Sequence, residues 1–167
     1  MSGMPPLHPV LVHLPVTLII VSLLFEVAGR LIDAAWWRKA AFAMLIVGTL
    51  GAWAAVLTGE KAGRAAEHQG VEEHAVDEHE DAGKLTLWLG IGAVVLRALA
   101  GRVGKAKPVV SGLALALHVA AAIAVGVAGF RGGRLVFEHG AGVRVHDQLI
   151  PSDGPPREEG EQEHEKD

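Results

Sequence analysis

The sequence predicts an all-α fold, an integral membrane four-helix bundle built from two parallel helical-hairpin repeats. Three observations lead to this prediction. Half of the 167 residues are hydrophobic, and they are gathered in four blocks, whereas a soluble domain of similar composition spreads its apolar residues periodically along the chain. The short connections between the blocks differ in charge from one side to the other. Histidine-containing motifs also occur in the same order in both halves.

Each block can cross a bilayer as a helix, for which about 20 residues suffice. The expected spans are residues 14–33, 40–58, 85–101 and 108–130, within one transmembrane domain of residues 1–150. Arg97 interrupts the third block, and its long side chain can reach the nearby helix end. The remaining residues, 151–167, are acidic and rich in Pro and Gly, so we expect a disordered tail.

Three ionisable residues fall inside the spans. Glu26 and Arg97 lie at similar depths near the basic loops, which predicts an ion pair between them. His118 follows Pro108 by ten residues, which places it roughly 15 Å into its helix. We expect His118 to be a neutral imidazole that forms a hydrogen bond with a neighbouring helix.

The charge of the loops predicts the orientation. One side of the bundle carries seven basic residues and one acid, whereas the other carries eight basic residues and seventeen acids. Basic loops remain in the cytoplasm. We therefore expect a multi-pass protein of the bacterial inner membrane with both termini outside.

The composition excludes several classes of protein. The chain has no cysteine, which rules out disulfides, thiolate metal sites, iron–sulfur clusters and c-type haem attachment. Its three methionines make a soft copper(I) site a poor expectation. The net charge of −4 gives no support to nucleic-acid binding.

The histidine motifs indicate an ancient duplication. The first half reads HPVLVH, two spans and TGEKAGRAAEH, and the second reads HAVDEH, two spans and AGFRGGRLVFEH. In this alignment His13 corresponds to His79, and His68 corresponds to His139. Both halves begin on the same side of the membrane, so they are expected to be parallel repeats.

These four histidines are the candidate cofactor ligands. His13 and His79 begin the first and third spans, while His68 and His139 follow the second and fourth. All four are expected at the outer mouth of the bundle, because facing helices converge there. The expected cofactor is haem b, which needs two neutral imidazoles at similar depth, or a divalent transition metal.

The candidate metal-ligand set is wider than the haem set. Histidine with carboxylates and without sulfur suits zinc, nickel, copper(II) or iron. The set is His8, His13, His68, His79, Glu80 and His139. His74, His146 and His164 lie in charged stretches, so we expect solvated side chains there.

Four segments of the chain resemble a known family when taken together. They are HPVLVHLPV, TGEKA, GVEEHAVDEHE and GGRLVFEHGAGV. As a set they resemble DUF2231, a bacterial family of predicted four-span membrane proteins of unknown function. Members commonly have Tyr near Phe137 and Phe at Leu14, so a tyrosine hydroxyl role is not expected here. The resemblance implies the architecture and a histidine-rich outer site, and the cytochrome-like modules joined to some members imply redox work.

Three functions remain open on these residues. The first is electron transfer through haem or a metal, with a periplasmic electron carrier as partner. The second is binding or transport of a divalent metal, and the third is a structural membrane protein without a cofactor. No nucleophile lies next to a base and no phosphate loop is present, which favours a redox carrier or binding protein over a catalyst. The sequence leaves homo-oligomerisation open.

Overall fold

The computed structural model describes residues 7–145 and 148–149. Its helices are α1 (Leu7–Leu11), α2 (His13–Leu31), α3 (Ala35–Glu67), α4 (Glu73–Leu99) and α5 (Lys107–Phe137). A short 3-10 helix, Gly104–Ala106, precedes α5, and Arg144–Val145 pairs antiparallel with Gln148–Leu149. The all-α prediction is confirmed. The tail of residues 151–167, with His164, and also His146 lie outside the described residues.

Four helical segments are long and apolar enough to cross a membrane, with α1 and α2 counted as one. Three of them continue beyond the predicted spans at the same end of the bundle: α3 runs on to Glu67, α4 already begins at Glu73, and α5 runs on to Phe137. The extensions share a small core of Ala66, Val71, Val76 and Leu135. Hydropathy did not predict them, because a helix continues past the membrane wherever its residues are charged but good helix formers.

The helices form a ring in which each packs against two others. Helices α2 and α4 both pack against α3 and α5, and lie diagonally across the bundle from each other. Ile19, Leu45 and Ala93 lie at the centre with Ala121 and Val125. We call the two ends of the bundle the histidine end, where α1, the α3–α4 connection and the C-terminus of α5 lie, and the basic end, with the connections of residues 32–34 and 100–106.

Buried positions recur at a constant spacing in the two hairpins. In α2 and in α4 with its C-cap residue Ala100, buried residues separated by 71 positions are Pro15 and Thr86, Ile19 and Gly90, Ser22 and Ala93, and Gly29 and Ala100. In α3 and α5, buried residues separated by 73 positions are Ala41 and Ala114, Leu45 and His118, Gly48 and Ala121, Gly51 and Ala124, Ala52 and Val125, and Ala55 and Ala128. The spacing is what two related hairpins require, and the duplication itself stays a prediction.

The helix ends follow familiar turn chemistry. After α2, Asp33 has a φ of 47° and the Ala34 N–H donates to the Gly29 carbonyl over 3.0 Å, as in a Schellman motif. After α3, Gly70 has a φ of 90°, a conformation that glycine adopts without a Cβ penalty. These tight endings keep both connections short, so neighbouring helices lie antiparallel.

The expected ion pair inside the membrane is present. Glu26 is only 1% exposed and forms an ion pair with Arg97 of the diagonal helix α4. Its other carboxylate oxygen accepts a hydrogen bond from Arg30 Nε at 2.7 Å. Arg97 also donates to the Arg38 carbonyl at 2.6 Å and lies over the Phe42 ring, 5.4 Å from its centroid. The buried charge is thus paired, as burial requires.

His118 also lies as predicted. It is buried at the centre of α5, and its Nε2 is 2.8 Å from Ser22 Oγ and 3.2 Å from the Ile19 carbonyl, both on α2. Ser22 itself donates to the Ile19 carbonyl at 2.8 Å. The hydroxyl proton is therefore used, and the His118 Nε2–H donates to the hydroxyl oxygen. The imidazole joins two helices and needs no cofactor to be satisfied.

Candidate functional site

Two imidazoles lie close together at the histidine end. His8 belongs to α1 and His79 to α4, so they come from diagonally opposed parts of the bundle. Their ring centroids are 6.0 Å apart and the ring planes are nearly perpendicular, at 84°. Both side chains are half-buried. The fold therefore brings one histidine from each half of the chain together.

Each ring is fixed by the same kind of hydrogen bond. His8 Nδ1 is 3.0 Å from the Ala55 carbonyl of α3, and His79 Nδ1 is 3.0 Å from the Ala128 carbonyl of α5. A carbonyl oxygen only accepts, so Nδ1 carries the proton and the neutral ring keeps a lone pair on Nε2. This is the tautomer and backbone contact typical of histidines that bind metals through Nε2.

A glycine lies beside each ring. A Cβ on Gly59 would be 3.3 Å from His8 Cε1, and a Cβ on Gly132 would be 2.9 Å from His79 Cε1. Each glycine follows the residue that supplies the carbonyl by four positions, one helical turn. The imidazoles thus lie close to the helix backbone, where any larger side chain would crowd them.

The two histidines hold equivalent places in the two hairpins. They are 71 residues apart, the same spacing that relates the buried positions of α2 and α4. Their carbonyl partners, and likewise their glycines, are 73 residues apart, as are the buried positions of α3 and α5. The structure therefore pairs His79 with His8, whereas the motif alignment paired it with His13.

The surroundings of the two rings differ in charge. Thr58 Oγ1 lies 3.3 Å from His8 Nδ1 and donates its own proton to the Ala54 carbonyl at 2.9 Å, so it accepts from the ring. The equivalent position beside His79 is Arg131. Its guanidinium donates to the Glu78 carbonyl at 2.8 Å and lies 3.6 Å from the carboxylate of the same residue. The cationic side chain of Arg131 thus binds the backbone of Glu78, the residue before His79.

Of the other predicted ligands, His13, His68 and His139 make no contact with this pair, whereas the Glu80 carboxylate interacts electrostatically with both His8 and His79. His13 is exposed, and its Nδ1 lies 2.7 Å from the Pro9 carbonyl one turn earlier. His68 is exposed at the end of α3. His139 borders a hollow of about 20 Å³ with Glu78, Arg131 and Arg134. Glu80 forms an ion pair with Lys84 over 3.2 Å.

Within residues 7–145 and 148–149, no three His, Asp or Glu side chains lie close enough together to hold a metal ion. The six-residue metal set is therefore not brought together in the structure. Nearby, the pKa of the Glu138 carboxyl is lowered because Arg134 donates a hydrogen bond to it. That pair lies on the surface and satisfies its own charges.

Motif reasoning placed His8 among metal ligands but left it out of the haem pair. It aligned the two His-x4-His segments directly, which made His13 the counterpart of His79. The signal that identifies His8 is the alanine and glycine one turn apart in each following helix, Ala55 with Gly59 and Ala128 with Gly132. That signal is visible only when the helices are paired.

The comparison with protein families gives one match. The model of a family described as a predicted membrane protein, DUF2231, matches residues 4–145. No curated protein and no solved structure matches the chain. The match extends over both hairpins and includes His8, His79 and their helix partners. The chain therefore belongs to the DUF2231 family of predicted membrane proteins.

Proposed function

We propose that this protein binds a b-type haem at its histidine end, where His8 and His79 would hold it, and carries electrons at the outer face of the inner membrane. The observation that supports this most is the close imidazole pair, in which both Nδ1 atoms are held by backbone carbonyls. Both Nε2 atoms are thereby left as lone-pair donors of fixed orientation.

The spacing of the rings would let His8 and His79 hold one metal between them. Two imidazoles bonded to one metal at about 2 Å would have ring centroids no more than roughly 6 Å apart. The observed separation is 6.0 Å, so the two side chains are within reach of a common metal.

The number of ligands favours haem over a bare ion. A structural divalent site takes four protein ligands and a catalytic site three, but no third His, Asp or Glu of the described residues completes a metal-holding group with this pair. Haem would bring its own nitrogen ligands and would need only two more from the protein. It would supply one-electron redox chemistry, and His8 and His79 would hold it through imidazoles whose orientation the backbone fixes.

The location of the pair supports an exchange of electrons with a soluble carrier. The histidine end lies opposite the loops that carry seven basic residues, which is the outer side according to the positive-inside rule. A periplasmic carrier can approach that end without entering the bilayer.

The proposal is tested by the absorption spectrum and metal content of the full chain purified in detergent after expression with a haem supply. We expect a reducible Soret and α band that is lost in His8→Ala and in His79→Ala. His13→Ala is the matched control, because His13 lies one turn from the pair and faces outward; it should keep the spectrum. Colourless protein with stoichiometric zinc or copper would favour metal handling, and wild-type protein with neither would leave a structural role.

A further inference from the structure

An aromatic cluster lies on the outside of the α2–α3 hairpin at the basic end. Phe25 and Trp37 stack with centroids 4.7 Å apart, and Trp36 is 5.8 Å from Trp37. Trp36 is 64% exposed. Exposed tryptophan at the end of a membrane helix is typical of the boundary between hydrocarbon and headgroups. We therefore expect this cluster at the depth where lipid chains meet lipid phosphates.

Three basic residues lie close to the cluster along the two helices, and not all of them are used by the protein. A Cβ on Gly29, the residue before Arg30, would be 2.8 Å from Trp37 Cβ, and Lys39 follows Trp36 by three positions on α3, about one helical turn. Arg38 donates to the Gly29 carbonyl at 2.7 Å and to Asp33 at 3.1 Å, whereas Arg30 bonds Glu26 through Nε alone. Lys39 is exposed, and within the described residues no hydrogen bond or ion pair engages it. Arg30 and Lys39 thus keep free cationic groups.

Acids at this end are too few to neutralise these charges. Asp33 is the one acid in the connections that hold seven basic residues, and Arg38 already pairs with it. Glu26 is buried and shared between Arg97 and Arg30. An external anion can therefore pair with Arg30 and Lys39 without displacing an acid of the protein.

The second hairpin lacks the aromatic component. The positions equivalent to Phe25, Trp36 and Trp37 are Leu96, Val109 and Val110. Its basic residues, Arg102, Lys105 and Lys107, attract anions only through their charge. The combination of free cations and interfacial rings is thus specific to the first hairpin.

We propose that the α2–α3 hairpin binds one anionic phospholipid, whose phosphate contacts Arg30 and Lys39 and whose acyl chains lie against the Trp36–Trp37–Phe25 cluster. The aromatic cluster argues for a lipid rather than a soluble phosphate, because it adds an apolar surface beside the cations. The basic residues argue for an anionic headgroup, since each cation near a membrane surface favours one.

The test uses tryptophan fluorescence of the full chain in vesicles. A Trp53→Phe/Trp88→Phe variant retains fluorescence only at the cluster, and brominated lipids quench tryptophan on contact. We expect brominated phosphatidylglycerol, mixed into phosphatidylcholine vesicles, to quench several-fold more than the same fraction of brominated phosphatidylcholine. Lys39→Gln should reduce this preference about fivefold, the effect of one interfacial cation, and Arg30→Gln should reduce it as well.

Lys61→Gln removes an equal charge from an exposed lysine at the histidine end and serves as the control. Equal quenching by the two brominated lipids in the parent, or an equal loss in Lys61→Gln, would overturn the proposal. Inorganic phosphate that displaces the quenching lipid at millimolar concentration would show a phosphate site in place of a lipid site, and would overturn it too. Lys39 is unpaired and Glu26 keeps Arg97, so both variants are expected to fold.

Discussion

At the scale of single residues, the placement of the His8 and His79 rings depends on the absence of a side chain at the glycine beside each of them. Gly59 and Gly132 leave space that the imidazole rings occupy, and the ring of His79 is the closer of the two to its glycine backbone. A methyl group there must move the ring, and the ring is held by a carbonyl 3.0 Å away. The orientation of each ligand is thus set by the backbone of the facing helix.

Gly132→Ala is therefore expected to disturb His79 more than Gly59→Ala disturbs His8. The added Cβ would lie 2.9 Å from the ring in the first case and 3.3 Å in the second. We expect Gly132→Ala to lower cofactor occupancy, measured as absorbance per protein, despite the helix propensity of alanine. Gly133→Ala has nothing within 4 Å of its Cβ and should instead raise stability by up to about 1 kcal/mol. If Gly132→Ala and Gly133→Ala had the same effect on cofactor occupancy and stability, the contact between residue 132 and the His79 ring would have no part in either.

The buried carboxylate at the other end is a second residue-scale case. Glu26→Gln removes the buried charge that pairs with Arg97 and leaves that arginine, whose side chain is only 20% exposed, without a counter-charge. Loss of one member of a buried pair costs about 3–5 kcal/mol, so we expect unfolding in detergent at clearly lower denaturant. Glu60→Gln, an exposed acid, should change stability by less than about 0.5 kcal/mol. A Glu26→Gln variant as stable as wild type would mean that Arg97 is solvated.

At the scale of helices, hydropathy predicts the spans well because the bilayer imposes a length and excludes charge. All four spans, the Glu26–Arg97 pair and the interhelical bond of His118 follow from that one constraint. The extensions of α3, α4 and α5 do not, since their residues are polar and their helices are held by the small core around Val76. The His8–His79 pair does not follow from the motifs for a related reason: the two residues are brought together by packing across a diagonal, which no spacing within one helix encodes.

Substitutions of His118 test how much the hydrogen bond between α2 and α5 contributes to stability. Its counterpart in the other hairpin is Leu45, which is equally buried. His118→Leu should therefore be tolerated, with a change of about 1 kcal/mol or less, because hydrogen bonds between membrane helices average about 0.6 kcal/mol. His118→Ala should cost about 2 kcal/mol or more through the cavity it leaves. Unfolding in detergent separates the two, and a large loss with leucine would assign the imidazole a role beyond packing.

At the scale of the whole molecule, the two ends of the bundle carry different pairs of side chains at equivalent positions. Positions 71 residues apart in α2 and α4, or in α1 and α4, meet across the diagonal at both ends: His8 with His79, and Glu26 with Arg97. At the histidine end both members of the pair are histidines. At the basic end the two members carry opposite charges and form a buried ion pair. Both pairs join positions 71 residues apart, which is the spacing that the predicted duplication would require.

The orientation of the bundle in the membrane decides whether the histidine pair faces the periplasm or the cytoplasm. The chain is suited to a direct measurement of this orientation. Because it has no cysteine, a single cysteine placed at an exposed position reports accessibility without background. Seven basic residues favour the cytoplasm for the basic end, so Glu73→Cys is expected to react with a membrane-impermeant thiol reagent in intact cells. Lys105→Cys, exposed at the basic end, should react only after the membrane is permeabilised. The reverse pattern would place the histidine pair on the cytoplasmic side and require its electron partner there.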